Sequence, residues 1–425
     1  MGGGYVGTYT ALGLQKRVRG VEVTLVAPES HMTYQPFLPE AASGNIEPRH
    51  VVVPLRRVLK RTRLIIGHVT AIDHARRSAT VAPIEAEPYD LDYDHIVIAP
   101  GSISRVLPIP GLADHGVGFK TVAEAIFLRN HVLSRLDLAD STEMESIRTR
   151  ALTFVVVGGG YAGVEALAEL EDLARDAARL YRTVSRSDMR WILVEAASSI
   201  LPEIGDELAS YAIERLRRRD IEIFLNTRLT SAVDGVMELS DGTSFAADTL
   251  VWTTGVKAHP LVARSGLPLD ERGRLVADEF RRVKDVEGAW TAGDCAAVPD
   301  TITGGTAPAT AQHALRQARQ LAANITATIA GGRLRAYSYR NLGSLVSLGR
   351  YKGVALVMGL RLRGFPAWFL HRTYHVMMIP TLNRKARVLA DWTVALFFRR
   401  DVVQLGSLGH PRDDFRAAAG PDEGG

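Results

Sequence analysis

A glycine pattern that occurs twice is the feature that most constrains the fold of this chain. The stretches MGGGYVG (1–7) and VGGGYAG (157–163) both carry glycine at the same three positions. In the second copy an apolar run, residues 151–157, precedes the glycines, and a helical stretch and a second apolar run, WILVEA, follow them. A buried strand, a tight glycine turn, a helix and another strand predict a dinucleotide-binding βαβ unit. The repeat therefore predicts two nucleotide-binding units of α/β class.

The three glycines of a unit are expected to have separate roles. Gly158 makes the sharp turn, Gly160 lets backbone N–H groups approach a pyrophosphate, and Gly163 allows close helix packing. The helix N-terminus adds partial positive charge. The corresponding residues of the first copy are Gly2, Gly4 and Gly7. The alternative is that these glycines serve tight packing alone.

The first copy lacks the strand that should precede its glycines, because it begins at Met1. In such a sheet the first strand is central, so its loss would expose two strand edges and leave the loop without support. We therefore expect an apolar stretch like FVVV within roughly 5–20 residues upstream, with Met1 an internal codon.

The residue at the end of the second strand predicts which nucleotide each unit takes. Glu195 ends WILVEA, where a carboxylate would hydrogen-bond ribose hydroxyls and repel a 2′-phosphate, which favours NADH over NADPH. A solvated glutamate is the alternative. The first copy has Ala27 at this place, and Glu29 two residues on could substitute.

Three further apolar stretches end in small residues that would let the backbone pass close to a cofactor. The segments 93–101 and 248–256 end near Gly101 and Gly255, and the segment 286–300 presents Asp294 at the start of a loop. Strands that simply end in a turn would give the same pattern.

Composition excludes several classes of protein. A chain of 425 residues with 46% hydrophobic and 23% charged residues is long enough for two or three domains. The lone Cys295 excludes a disulfide framework and a redox cysteine pair, and it favours a reducing, intracellular setting. We predict no signal peptide and no transmembrane helix.

Positive charge is concentrated near the C-terminus. Residues 361–400 contain eight Lys/Arg and one acid, Asp391, beside clustered aromatic residues. In the helix predicted over 384–400, Val388, Leu389, Trp392 and Leu396 share one face. Such a segment is typical of a helix in a membrane interface with anionic lipids, although it could dock on the protein's own core or on a second subunit. No nucleic-acid-binding module is indicated.

Taken together, the two glycine motifs, the small-residue strand ends and TAGD (291–294) resemble the flavoprotein reductases with two dinucleotide folds. Within that family the chain is most similar to type II NADH:quinone oxidoreductases. The likeness lies in TYQPFLPEAASG (33–44), GGGYAGVE (158–165), TAQHALRQ (310–317) and the C-terminal FPAWFLHRTYH and LNRKARVLADW. One departure is Arg316, which stands where the family's quinone-site motif has a second glutamine, with Gln317 next to it.

The resemblance assigns residues to sites. It implies an FAD site formed by Gly2, Gly4, Gly7, Gln35 and Asp294. It implies an NADH site formed by Gly158, Gly160, Gly163 and Glu195. Gly101 and Gly255 are expected to bind a cofactor as well. The resemblance implies catalytic roles for Glu165 beside the nicotinamide, Glu40 near the flavin and Gln312 at the quinone, with Lys385 steering the quinone at the membrane side. No metal site is predicted.

The resemblance also implies an activity and a domain plan. The chain would be an FAD-dependent NADH dehydrogenase that passes two electrons to a membrane quinone without pumping protons. It would be peripheral, on the cytoplasmic side of the cell membrane, and it could form a homodimer. The alternatives are a reductase of a soluble ferredoxin-like acceptor and a catalytically impaired NADH-binding membrane protein. The expected ranges are 1–119 and 257–335 for the FAD domain, 120–256 for the NADH domain and 336–425 for the membrane region.

Overall fold

The first glycine motif opens a discontinuous α/β unit. The computed structural model describes residues 1–18, 20–302, 304–340 and 343–404. The elements up to the first crossing between units are α1 (Tyr5–Arg17), β1 (Thr24–Ala27), β2 (His31–Thr33), α2 (Leu38–Ala42), β3 (Val52–Pro54), α3 (Leu55–Val58), β4 (Arg63–Asp73), β5 (Ser78–Pro83), β6 (Tyr89–Asp92), β7 (Ile96–Ile98) and β8 (Ser102–Ser104). Strand β1 pairs in parallel with β4, which continues as an antiparallel ladder with β5 and β6.

The second glycine motif lies in a complete parallel sheet. Its elements are α4 (Leu112–His115), β9 (Gly116–Val117), α5 (Val122–Ser141), α6 (Glu145–Ala151), β10 (Thr153–Val157), α7 (Tyr161–Ala178), β11 (Arg190–Val194), α8 (Asp206–Arg217), β12 (Ile221–Phe224), β13 (Leu229–Ser231), β14 (Val236–Leu239), β15 (Ser244–Ala246) and β16 (Thr249–Trp252). The strand order is β12-β11-β10-β16-β9, and every pair is parallel. All of β10 is buried, because helices cover both faces of such a sheet.

The boundary between the units differs slightly from the expected one. Strand β9 falls within the range 1–119, yet its backbone pairs with β16 of the second sheet. The second unit thus begins before residue 119. The sequence could not show this, because an edge strand of two residues has no detectable hydrophobic pattern.

The chain then returns to the first unit. The returning elements are β17 (Val256–Ala258), α9 (Pro260–Ala263), β18 (Leu275–Val276), β19 (Ala289–Thr291), β20 (Ala296–Ala297) and α10 (Ala311–Ile329). Strand β17 pairs antiparallel with β8, so the two crossings run side by side. Strand β19 pairs in parallel with β7, and α10 shares a buried apolar cluster with α1.

Met1 and Gly2 lie in the gap between β1 and β7. The Gly2 amide donates to Val26 O (2.9 Å), the Ala99 amide donates to Met1 O (3.2 Å), and the Met1 amino group donates to Val97 O (2.7 Å). A cavity of about 670 Å³ continues from this point, lined largely by apolar side chains. In the second unit the equivalent place, between β11 and β16, is filled by β10.

The C-terminal region adds a small sheet and two helices, namely β21 (Gly343–Ser347), β22 (Gly353–Val357), β23 (Leu360–Arg363), α11 (Phe365–Met378) and α12 (Leu382–Phe397). Short 3₁₀ turns elsewhere span Gln35–Phe37, Pro48–Val51, Arg186–Asp188, Pro202–Ile204 and Val233–Gly235. The expected range 336–425 ends in residues 405–425, which lie outside the described residues. In the part of the chain that the structure describes, no helix is long and apolar enough to cross a membrane.

Helix α12 forms as predicted, but its apolar residues do not all face the same way. Val388 is fully buried and Trp392 hydrogen-bonds to Glu40, whereas Leu389 and Leu396 are exposed. Two of the four residues expected on one face therefore contact the protein and two face outward. One side of the helix packs against the protein, where His50 Nδ1 lies 2.5 Å from Asp391 Oδ2.

Candidate active site

The first and third glycines of both motifs are required by the backbone. Gly2 and Gly158 adopt positive φ angles of 98° and 115°. A Cβ atom on Gly7 would lie 1.8 Å from Gly2 O, and one on Gly163 would lie 1.9 Å from Gly158 O. Each helix therefore approaches its turn too closely for any side chain.

The middle glycines face open space instead. Gly4 and Gly160 are the N-cap residues of α1 and α7, and a Cβ atom on either would meet no atom within 4 Å. The first amides of a helix have no partner within the helix and carry partial positive charge. Both units thus present an open, positively polarised cradle that suits a pyrophosphate.

A cavity of about 690 Å³ starts at the first motif, and we call it the first-domain cavity. Its lining includes Gly2, Gly4, Glu29, Gln35, Gly101, Lys120, Asp294 and Ala311. The structure thus brings together most of the residues that the resemblance assigned to FAD. Gly7 lies behind the turn and lines the neighbouring cavity beside Met1.

Asp294 is part of a polar group in this cavity that includes an unpredicted lysine. Ser102 Oγ donates to Asp294 Oδ2 (2.6 Å), and Lys120 Nζ donates to the same serine hydroxyl. Burial lowers the pKa of Lys120, and the negative charge of Asp294 opposes that shift. Lys120 follows β9 closely, at the carboxyl end of a parallel strand, which is where ligands bind in α/β sheets. The sequence did not indicate this position, because β9 is too short to be predicted.

Gln317 supports the turn that presents Asp294. Its side chain is buried, and Oε1 accepts a hydrogen bond from the Gly293 amide (2.8 Å). Gly293 has a φ of 77°. The sequence drew attention to Gln317 only as the neighbour of Arg316, because no sequence pattern indicates its contact with a loop 24 residues earlier in the chain.

In the second unit, Glu195 lies against the glycine loop at the end of β11. Its carboxylate accepts hydrogen bonds from the Gly159 amide (2.5 Å) and the Ala197 amide (2.7 Å). Thr253 Oγ1 donates to Val157 O (2.9 Å) and supports the same turn. Gly255, with a φ of 76°, also has open space around it. The loop and the carboxylate therefore form one preorganised edge.

Glu165 connects the second unit to the C-terminal region. It is buried, and Oε1 accepts a hydrogen bond from the Ser347 amide (2.8 Å). The same oxygen lies 3.2 Å from His371 Nε2 of α11. Glu165 is not among the residues that line the first-domain cavity.

Glu40, which the resemblance implies is near the flavin, contacts the two C-terminal helices. It is buried, Trp392 Nε1 donates to Oε2 (2.8 Å), and Arg372 Nε donates to Oε1 (3.2 Å). These donors belong to α11 and α12, and Glu40, like Glu165, does not line the first-domain cavity. Its visible contacts anchor the C-terminal helices to α2.

Gln312 lies in the first turn of α10 and faces residues near the C-terminal sheet. Its Oε1 accepts a hydrogen bond from Tyr339 Oη (3.1 Å), and its Nε2 donates to Gly343 O (3.4 Å). The guanidinium of Arg316 lies 4.0 Å from the centroid of the Tyr339 ring. Arg316 therefore helps to hold the tyrosine that orients Gln312.

Cys295 is buried beside Asp294, and burial raises the pKa of its thiol to about 11. The thiolate is therefore disfavoured, as expected for a small buried residue rather than a reactive one. Within the described ranges, no group of three or more His, Cys, Asp or Glu side chains could hold a metal ion.

Comparison with known proteins settles the family. A family model described as pyridine nucleotide-disulphide oxidoreductase matches residues 1–318. The chain belongs to this family.

Several named proteins are similar to almost the whole chain. The type II NADH:quinone oxidoreductase Ndh of Mycobacterium tuberculosis is 29% identical over 415 residues, which cover 94% of this chain and 88% of that protein. An internal alternative NAD(P)H-ubiquinone oxidoreductase A1 of Solanum tuberosum mitochondria is 30% identical over 90% of this chain and 83% of its own length. The fold is similar to that of NDH2 from Plasmodium falciparum in complex with NADH, with a TM-score of 0.88, 17% identity and coverage of 94% and 98%.

Proposed function

We propose that this chain is an FAD-dependent NADH:quinone oxidoreductase of type II, peripheral to the cytoplasmic side of a membrane and not proton-pumping. The observation that carries the proposal is the pair of open glycine cradles, one continuous with the first-domain cavity and the other edged by Glu195. Similarity to relatives named for this activity supports it.

The first-domain cavity suits FAD. The α1 N-terminus at Gly4 would stabilise the pyrophosphate, and Asp294 with Ser102 would orient the hydroxyls of the ribityl chain. Lys120 would place a positive charge in the same cavity. Bound FAD would accept a hydride from NADH and pass two electrons to the quinone.

The second cradle suits NADH. The α7 N-terminus at Gly160 would hold its pyrophosphate, and Glu195 would accept hydrogen bonds from the ribose hydroxyls. A carboxylate oxygen accepts more than one hydrogen bond, so the bonds from Gly159 and Ala197 leave capacity for a ligand. A 2′-phosphate would meet a negative charge there.

The acceptor end of the reaction needs a quinone site and a proton, because NADH, a proton and a quinone give NAD⁺ and a quinol. Gln312, oriented by Tyr339, would hold the quinone head. Glu165 would position the nicotinamide or transfer a proton, with His371 as its neighbour. Lys385, close to exposed apolar residues, would steer the quinone.

The exposed surface of α11 and α12 supports attachment to a membrane. Leu382 and Phe397 are 84% and 79% exposed, and Phe369, Met377 and Leu396 are exposed as well. Apolar side chains among lysines and arginines bind anionic leaflets, with about 1 kcal/mol for each cation near the surface. A homodimer through this face is the other arrangement that would cover it.

The gap beside Met1 suits one more strand. An apolar strand parallel to β1 and β7 would complete the first sheet in the way that β10 completes the second. It would also support the first glycine turn from below.

Purified protein provides the test. We expect a flavin absorption spectrum, NADH oxidation that a short-chain quinone accelerates, and a much lower rate with NADPH. Oxidation that a ferredoxin accelerates and a quinone does not would favour the soluble-acceptor alternative. Protein without flavin, even after incubation with FAD, would contradict the proposal.

A further inference from the structure

A cavity outside the two cradles lies between α1, α10 and the turn that joins α11 to α12. Its volume is about 480 Å³. The residues that line it are Tyr9, Leu12, Gly13, Lys16, Arg17, Val58, Arg319, Met377, Met378, Ile379, Pro380 and Lys385. We call it the basic pocket.

Four cations and no carboxylate line the basic pocket. The cations are Lys16, Arg17, Arg319 and Lys385. None of the four forms an ion pair with another described residue. Lys385 Nζ donates to Met377 O (2.7 Å), and Arg17 Nη1 donates to Arg319 O (3.3 Å). Because Lys carries three donors and Arg five, most of their donors remain available to a ligand.

Two further arginines, Arg57 and Arg384, are the chain neighbours of the pocket-lining residues Val58 and Lys385. The pKa of Arg384 is lowered by burial and by the positive charges of Arg387 and Arg57. The positive charges of these arginines therefore act on one another. A bound anion nearby would offset part of that repulsion.

Apolar surface continues from the pocket to the exposed face of the C-terminal helices. Met377, at the rim, is 66% exposed, and Leu382 is more exposed still. Leu12, Val58 and Ile379 form part of the wall. A ligand that matches both features carries an anionic head and an apolar chain.

We propose that the basic pocket binds the phosphate headgroup of an anionic phospholipid, whose acyl chain lies along Met377 and Leu382. Lysine and arginine bind phosphate oxygens through charge-assisted hydrogen bonds, and basic pockets beside membrane-facing helices suit such headgroups. The site rests on the proposed membrane attachment and adds a specific lipid contact to it. A free phosphate ion would not use the apolar rim.

Vesicle co-sedimentation of the full chain tests the site. The variant K16Q/R319Q removes two exposed cations of the pocket and leaves Lys385 in place. The control R76Q/R272Q removes two exposed arginines that do not line it. On vesicles of phosphatidylcholine with phosphatidylglycerol, we expect K16Q/R319Q to partition roughly 30-fold less and the control less than about threefold less. On pure phosphatidylcholine, both should match the unsubstituted protein.

The outcomes separate this inference from the proposed attachment. Equal losses in the two variants would mean general electrostatic attraction and would overturn the site, while attachment would stand. No binding of the unsubstituted protein to any vesicle would refute the attachment and the site together. A soluble short-chain phosphatidylglycerol should raise the Tm of the unsubstituted protein but not of K16Q/R319Q. An equal rise with inorganic phosphate would also overturn the lipid assignment.

Discussion

At the scale of single residues, the glycines of each motif divide into two kinds. Gly7 and Gly163 have no room for a Cβ atom, whereas Gly4 and Gly160 have free space. The first kind serves the fold and the second is available to a ligand. A pair of alanine substitutions can therefore separate stability from nucleotide binding.

We predict that Gly163→Ala destabilises the protein and that Gly160→Ala does not. The new methyl of Gly163→Ala would collide with Gly158 O, and overpacking of this kind costs about 1–3 kcal/mol or more. Gly160→Ala should keep the Tm, because its methyl group meets no protein atom. The methyl would hold the pyrophosphate away from the backbone amides, so NADH binding should weaken roughly 10- to 100-fold, the worth of one charge-assisted hydrogen bond. Calorimetry and NADH titration measure the two effects. Equal Tm losses would contradict this division.

Glu195→Gln should weaken the preference for NADH. Removal of the negative charge relieves repulsion of a 2′-phosphate, and the amide oxygen can still accept a bond from the loop. We expect the ratio of kcat/KM for NADH over NADPH to fall roughly tenfold, because a hydrogen bond to a charged group is worth about 1.5–3 kcal/mol. An unchanged ratio would place the ribose away from Glu195.

The sequence revealed residues whose role follows from local backbone geometry, and it missed those that act across the fold. Gly158 and Gly163 belong to a motif with fixed spacing. Lys120 and Gln317 act through Ser102 and Gly293, which precede them by 18 and 24 residues, and no sequence pattern links either pair. Glu40 has its contacts in α11 and α12, which the sequence could not place beside α2.

At the scale of elements, Glu40 joins the C-terminal helices to the first unit. Removing one partner of a buried ion pair costs about 3–5 kcal/mol, so Glu40→Ala should loosen α11 and α12 and speed their proteolysis. Arg372→Ala should give the same pattern, and the double variant should cost much less than the sum. If Glu40→Ala instead lowers kcat and leaves the rate of proteolysis unchanged, Glu40 has the predicted catalytic role and not this structural one.

The gap between β1 and β7 gives a second prediction at this scale. Fusing the chain's own strand sequence TFVVV (153–157) directly before Met1 should raise both the Tm and the retention of flavin. The added strand would pair with the edges of β1 and β7 that face the gap, and each kcal/mol gained would raise the Tm by about 2–4 °C for a domain of roughly 150–250 residues. A fusion of TDSDS is the control. Equal effects of the two fusions would contradict a strand-shaped site.

Helices and strands with a clear hydrophobic pattern could be predicted from the sequence. The side of each element that packs against the protein could not. The β10 run and the α12 spacing both appear in the sequence, and both elements form. The side of α12 that packs inward depends on Glu40 and His50, far away in the chain. A short strand such as β9 carries too few residues for any period to be detected.

At the scale of the whole molecule, the two cradles and the C-terminal surface have different proposed roles. One chain would bind two dinucleotides in units joined by the β8 and β17 crossings, and it would present apolar and basic residues on α11 and α12. The net charge of +4 conceals this arrangement, since residues 361–400 alone carry eight of the 51 Lys/Arg residues and only one acid.

Flavin absorbance under anaerobic conditions tests the central claim most directly. Purified protein that has been loaded with FAD is mixed with NADH, and a short-chain quinone is then added. We expect NADH to bleach the oxidised flavin band and quinone to restore it. A flavin band that NADH leaves unchanged, or a bleached band that quinone fails to restore, would contradict the proposed function.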